Sequence, residues 1–209
     1  MGDFTEKVVL VIGAGKGIGR AVAEGFAAHG AIVAANDVTP INLDETVAYI
    51  IASGGRVKAY VEDIAKKMPV QALVNEVLDD WGRIDILVNC AEVAPSAQVL
   101  DMDDWDWQRT LDVNLTGAFL LTQSVGRVMR AALPQGKKGG IIIHIGWRAR
   151  SPERRAAYFA SKAGLTAFVE HAACELAAFG IRVHLVLPVE TDDVAEKVIS
   201  LVEAESPHS

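Results

Sequence analysis

The chain has 209 residues, 51% of them hydrophobic and 22% charged, with a formal net charge of −7. That composition belongs to a globular chain long enough to bury a sizeable core, and it argues against a disordered segment or a basic nucleic-acid binder. Two cysteines, Cys90 and Cys174, sit in apolar runs with no disulfide or metal spacing, and are expected to be buried free thiols of a reducing compartment. The histidines show no metal-ligand spacing, so no metal is expected. Charges at Asp3, Glu6 and Lys7 argue against a signal peptide, and no apolar run is long enough to span a bilayer. A cytoplasmic protein with neither nucleic-acid nor membrane partner is therefore expected.

In chain order, a strand over Lys7–Ile12 runs straight into Gly13-Ala14-Gly15-Lys16-Gly17-Ile18-Gly19. Ile18, Val22 and Phe26 share one face of the helix that follows, and Gly30 closes it as a left-handed cap would. Strands over Ala31–Ala35, Arg56–Val61, Ile84–Asn89, Gly140–Ile145 and Ile181–Leu187 then alternate with helices over Asp44–Ala52, Val70–Trp81, Asp104–Ala132, Ala157–Phe179 and Asp192–Ala204. The tail Glu205–Ser209 is expected to fray. The strands are near-continuous in Val, Ile, Leu and Ala, as strands buried on both faces of a parallel sheet are. The six βα repeats predict an α/β fold: one domain over 1–209, a doubly wound parallel sheet of six strands flanked by helices on both faces. Ligands in such sheets bind beyond the strand C-termini, where strand order reverses.

The glycine turn lies in that region. Gly13, Gly17 and Gly19 follow G-x-x-x-G-x-G, not the G-x-G-x-x-G dinucleotide fingerprint, but the physics is shared: a tight turn, close approach of backbone to phosphate, and a helix N-terminus aimed at a pyrophosphate. Asp37 ends the second strand, where its carboxylate can take both ribose hydroxyls of NAD and repel a 2′-phosphate. Lys16 would instead suit NADP, and Asp37 decides for NAD because it should lie nearer the 2′ position. Asp63 and Ile64 end the third strand, where they can meet the amino group and ring of adenine. Tyr158 and Lys162 share a helical face four residues apart. A free tyrosine titrates near 10, and a nearby ammonium would favour its phenolate.

Together these residues resemble the short-chain dehydrogenase/reductase family over roughly Lys7 to Leu187. The carriers are Gly13/Gly17/Gly19, Asp63-Ile64, Asn89-Cys90-Ala91, Asp112-Val113-Asn114-Leu115 and Tyr158-Phe-Ala-Ser-Lys162. The resemblance implies a Rossmann-type NAD(P)-binding domain and an oxidoreductase moving hydride between a nicotinamide cofactor and a small alcohol or carbonyl substrate. It implies that Tyr158 is the acid/base, that Lys162 also holds the nicotinamide ribose, and that Asn114 anchors a water linking Lys162 to solvent. Gly13, Gly15, Lys16, Gly17, Ile18, Gly19, Asp37, Asp63, Ile64, Asn89, Ala91, Tyr158, Lys162, Pro188 and Thr191 would bind the cofactor. A homodimer or homotetramer through the long helices Asp104–Ala132 and Ala157–Phe179 is implied as well.

The chain departs from the family pattern at four places. Trp147 stands where a substrate-orienting serine is expected, with Ser151 the only nearby hydroxyl; a rescue by His144 is disfavoured because its side chain should point into the strand packing. Asn89-Cys90-Ala91-Glu92 replaces Asn-Asn-Ala-Gly, adding bulk and negative charge near the cofactor phosphates or ribose. Pro188-Val189 replaces Pro-Gly. The substrate lid and last strand of the family are missing around Thr191–Val202. These departures sustain an alternative, a nucleotide-binding sensor or scaffold with little or no catalytic activity. Asp101-Met-Asp-Asp-Trp105-Asp-Trp107 reads as acids at a helix N-terminus with tryptophans packing at its start. Arg148, Arg150, Arg154 and Arg155 read as a solvated loop rather than a phosphate patch.

Overall fold

A computed structural model describes residues 4–132, 139–147, 155–188 and 193–205. Its strands are β1 (Val8–Ile12), β2 (Ile32–Asn36), β3 (Arg56–Tyr60), β4 (Ile86–Asn89), β5 (Ile141–Ile145) and β6 (Arg182–Val186). All pair in parallel, in the order β3-β2-β1-β4-β5-β6. This is the doubly wound Rossmann-type sheet expected from the sequence. The order reverses between β1 and β4, and the register there sets up the site. Ile12 is level with both Asn36 and Asn89, so the turns after β1, β2 and β4 leave the sheet side by side.

Successive residues of a strand face opposite sides, and each side has its own core. Leu10, Ile12, Leu87 and Ile142 pack with Leu73 of α3 (Lys67–Trp81), Leu121 of α5 (Gly117–Ala131) and Leu165 of α6 (Ala156–Ala177). Val9, Val11, Val88 and Ile143 pack with Phe26 of α1 (Gly17–Ala28), Ile50 of α2 (Pro40–Ala52) and Val198 of α7 (Val194–Glu205). Each such fully buried side chain stabilises by about 1.5–3 kcal/mol relative to exposure.

Several boundaries and environments differ from the sequence reading. Helix α2 begins at Pro40 rather than Asp44, because proline's fixed φ suits the first helical position. The predicted helix Asp104–Ala132 is α4 (Asp104–Leu111) and α5 joined by a π-helical turn over Asp112–Thr116. Asp103 caps α4 through the Trp105 N–H at 2.7 Å, and Asp104 and Asp106 occupy its first turn. The tryptophans, however, do not pack there: Trp105 is 69% and Trp107 40% exposed. Cys174 is exposed and Cys90 only partly covered. On α6 the buried residues Leu165, Val169 and Ala172 define the inward face, and Cys174 is turned well away from it. Glu205, expected to fray, is the last residue of α7 and pairs with Arg182 at 3.4 Å. Gly30 takes φ +86°, as a helix-closing glycine does. Among the described residues no helix is long and apolar enough to cross a membrane.

Candidate active site

The turn after β1 is built around glycines, and at Gly13 and Gly19 the packing leaves no room for a side chain. Gly13 has φ +77°, and a Cβ on it would stand 2.9 Å from the Ala91 backbone nitrogen. A Cβ on Gly19 would overlap the Gly13 carbonyl, so α1 packs directly on the turn. Gly17 has φ +56° at the start of α1, and a Cβ there would meet nothing within 4 Å. It faces open space, with the first N–H groups of α1 around it, and that is the geometry an anion approaches. Buried Thr46 on α2 donates to the Ala14 carbonyl at 3.0 Å and fixes the turn from behind. Lys16 is exposed at the mouth, while Ile18 is half-buried.

Beside the turn, Asp37 accepts from the Gly15 N–H at 3.0 Å on one oxygen and from the Thr39 N–H at 2.9 Å on the other. A carboxylate offers about four acceptor sites, so capacity remains for a diol. Asn36, level with Ile12, donates to the Tyr60 and Glu62 carbonyls at 3.0 and 3.2 Å and ties the ends of β2 and β3 together. Asp63 accepts from the Ala65 N–H at 3.0 Å and pairs with Arg109 at 3.0 Å. Burial pushes its carboxyl up, but the Ala65 N–H and the Arg109 guanidinium outweigh that and hold it below the usual range. Its side chain is thus already engaged by Arg109, beyond what the strand-end position alone suggests. Ile64, buried against Gly117, lines the same cleft.

These groups enclose a cavity of about 400 Å³ that runs from Asp37, Asp63 and Arg109 past Gly13 and Gly17 to Glu92 and Ile145. Its chemistry suits the adenosine diphosphate half of a dinucleotide: an acid for the ribose, apolar Ile64 for the base, and glycine backbone at a helix N-terminus for the phosphates.

The asparagines act on the chain itself. Asn89 is 4% exposed; its amide nitrogen meets His144 Nδ1 at 3.3 Å, and its oxygen accepts from the Ala91 N–H at 3.3 Å. His144, fully buried, is 2.9 Å from the Thr122 hydroxyl through Nε2, while that hydroxyl donates to the Ala118 carbonyl. The ring is therefore neutral with its hydrogen on Nε2. Burial, and then the Lys162 charge, bring its pKa down to about 3. His144 points into the packing as the sequence reading had it. Asn114, in the π-helical turn, accepts from the Val93 N–H at 2.9 Å and donates to the Val93 carbonyl at 2.9 Å and Ser161 Oγ at 3.0 Å. Although the Cys90 residue is only partly covered, its thiol is buried, which pushes it up to about 12.

Tyr158 and Lys162 lie one turn apart on α6, 2% and 6% exposed. The Tyr158 hydroxyl donates to Glu92 Oε2 at 2.9 Å. Lys162 Nζ is 2.9 Å from that same oxygen and donates to the Ile145 carbonyl at 2.9 Å. Trp147 sets its ring edge-on to Tyr158, with centroids 5.8 Å apart, and covers it. Burial first, and then the Glu92 carboxylate, push the Tyr158 phenol well above its ordinary value. The lowering expected from Lys162 is not what this arrangement gives, because Glu92 meets the ammonium and accepts the phenol's hydrogen with one oxygen.

The sequence reading missed Arg109, Thr46, the bonds of Asn36 and Ser161 and the Thr122–His144–Asn89 chain, and it placed Glu92 near the cofactor without its contacts to the Tyr–Lys pair. The contacts that bring them to the site are distant in sequence, 46 residues for Arg109 with Asp63 and 66 for Tyr158 with Glu92. Pro188 follows β6 at the same edge of the sheet, whereas Thr191, Ser151, Arg148, Arg150 and Arg154 lie outside the described residues. Among the described residues no three His, Cys, Asp or Glu side chains group as a metal site.

A model of the short chain dehydrogenase family matches residues 7–200. The chain is 38% identical to the short-chain reductase protein NovJ of Streptomyces niveus over 198 residues, 92% of this chain and 74% of that one. It is 39% identical to a 3-oxoacyl-[acyl-carrier-protein] reductase of Synechocystis sp. over 191 residues, 90% of this chain and 75% of that one. Among solved structures it resembles a metagenomic short-chain oxidoreductase in complex with NADP, at 31% identity and TM-score 0.88, covering 99% of this chain and 94% of that one. The glycine turn, the switch point of the sheet and these relatives agree: this chain belongs to the short chain dehydrogenase family, whose members are nicotinamide-dependent oxidoreductases.

Proposed function

We propose that this chain moves a hydride between NAD(H) and a small alcohol or carbonyl compound. The observation that carries the reading is the placement of Tyr158 and Lys162 beside the loop after β4, next to the end of the glycine-lined cleft whose other wall is Asp37. The dinucleotide supplies or takes up the hydride, and the rest is work of the chain. Gly13, Gly15, Gly17 and Gly19 at the N-terminus of α1 receive the pyrophosphate. The unfilled acceptor sites of Asp37 take the adenosine ribose and disfavour a 2′-phosphate, so NAD is preferred over the NADP of the metagenomic neighbour despite Lys16. Ile64 flanks the base, with Asp63 beside it. Asn89 and Asn114 fix the backbone of residues 89–93, Ala91 included, while Pro188 follows β6 toward the nicotinamide end.

Tyr158, held protonated, gives its hydroxyl hydrogen to a carbonyl oxygen in reduction and takes one back in oxidation. Lys162 places a positive charge beside the phenolate left behind. The screen that tests this offers NADH with small aldehydes and ketones to the wild type and to Tyr158→Phe. Turnover that falls by about 10²-fold or more in the variant supports the mechanism; turnover that the substitution leaves unchanged contradicts it.

Glu92 favours a second reading, a nucleotide-binding protein with little turnover, which predicts dinucleotide binding and no reaction in that screen. Exposed Trp105, Trp107 and Phe119 on α4 and α5 support a homodimer or homotetramer through these helices. Free cysteines support a cytoplasmic setting.

A further inference from the structure

We infer that Glu92 is an internal competitor for the nicotinamide riboside, so that the site favours ligands ending at the diphosphate, such as ADP, over the whole dinucleotide. The inference rests on the dinucleotide reading above and adds to it what one side chain does to ligand choice. Glu92 Oε2 alone contacts both the Tyr158 hydroxyl and Lys162 Nζ, each at 2.9 Å. Those are the two polar groups that a riboside arriving at this end would have to engage. Glu92 and Ile145 line the cavity, whereas neither Tyr158 nor Lys162 does. The carboxylate thus stands between the cleft and the pair.

The backbone that delivers it is pinned on both sides. Ala91 N–H is held by Asn89 at 3.3 Å, and the Val93 N–H and carbonyl are both held by Asn114 at 2.9 Å. Clearing the site therefore falls to rotation of the Glu92 side chain. It has room to rotate, being 43% exposed, whereas the Lys162 side chain is 6% exposed and cannot follow. A riboside thus gains neutral hydroxyl contacts only by separating Lys162 from its anion, a hydrogen-bonded charge pair. A ligand that stops at the second phosphate is held by the glycine turn and α1 and leaves the pair intact.

Calorimetric titration of wild type, Glu92→Ala and Glu92→Gly with ADP and with NADH tests this. The expected result is an ADP Kd unchanged within about twofold, and an NADH Kd tighter by about tenfold or more in either variant, the size of one charge-assisted hydrogen bond. ADP binding in each variant also shows that it folds, and either variant suffices. An NADH Kd that stays equal or weakens while ADP still binds overturns the inference and leaves the dinucleotide reading standing. Failure of wild type to bind ADP overturns both.

Discussion

Asn114 joins two segments through one amide: it holds both backbone groups of Val93 and the hydroxyl of Ser161, and is 2% exposed. Asn114→Ala strands buried donors and acceptors, so it should cost about 2–4 kcal/mol in urea unfolding. An unchanged midpoint would show that the loop after β4 is held elsewhere. His144 adds a pH signature. Its folded pKa, about 3, lies below the unfolded value, so the unfolded chain takes up its proton first and stability falls with pH through the window from about 6.5 down to 3. From this group the loss is about 1 kcal/mol between pH 7 and 5.5, and His144→Gln should remove that slope. The spacing of Tyr158 and Lys162 could be read from the sequence because one helical turn links them. Their capture by Glu92 could not, since that contact spans 66 residues and depends on how the β4 loop is pinned.

At the scale of elements, the turn into α1 separates two kinds of glycine. Gly19 abuts the Gly13 carbonyl, so Gly19→Ala must push the helix off the turn, and ADP affinity should drop by more than about tenfold along with stability. Gly17 faces open space with positive φ, so Gly17→Ala should cost only about 1 kcal/mol in the folded state. Equal losses in the two variants would mean the packing against Gly13 is not what shapes the turn. Strand positions were legible because strands buried on both faces leave continuous apolar runs. The π-helical turn at Asp112–Thr116 was not, because no residue there breaks the helical pattern.

For the whole molecule, the parallel, doubly wound sheet followed from six βα repeats and the handedness of crossovers, whereas the order β3-β2-β1-β4-β5-β6 is a finding of the structure. The two halves of the candidate site were unequally legible for the same reason. Gly13 to Asp37 is local to one βαβ unit, while Glu92 and Asn114 come from the β4–β5 crossover and Trp147 and Tyr158 from the β5–β6 crossover. The exposed Trp105, Trp107 and Phe119 give an assembly-scale prediction: sedimentation should show a dimer or tetramer, and Trp105→Glu with Phe119→Glu should shift it toward monomer. A wild-type monomer would contradict that. The measurement that bears most directly on the central claim is a calorimetric titration of the wild-type chain with NADH and with NADPH. The account predicts that NADH binds, about tenfold or more tighter than NADPH, because Asp37 meets the 2′ position. Tighter NADPH binding, or binding of neither, would contradict it.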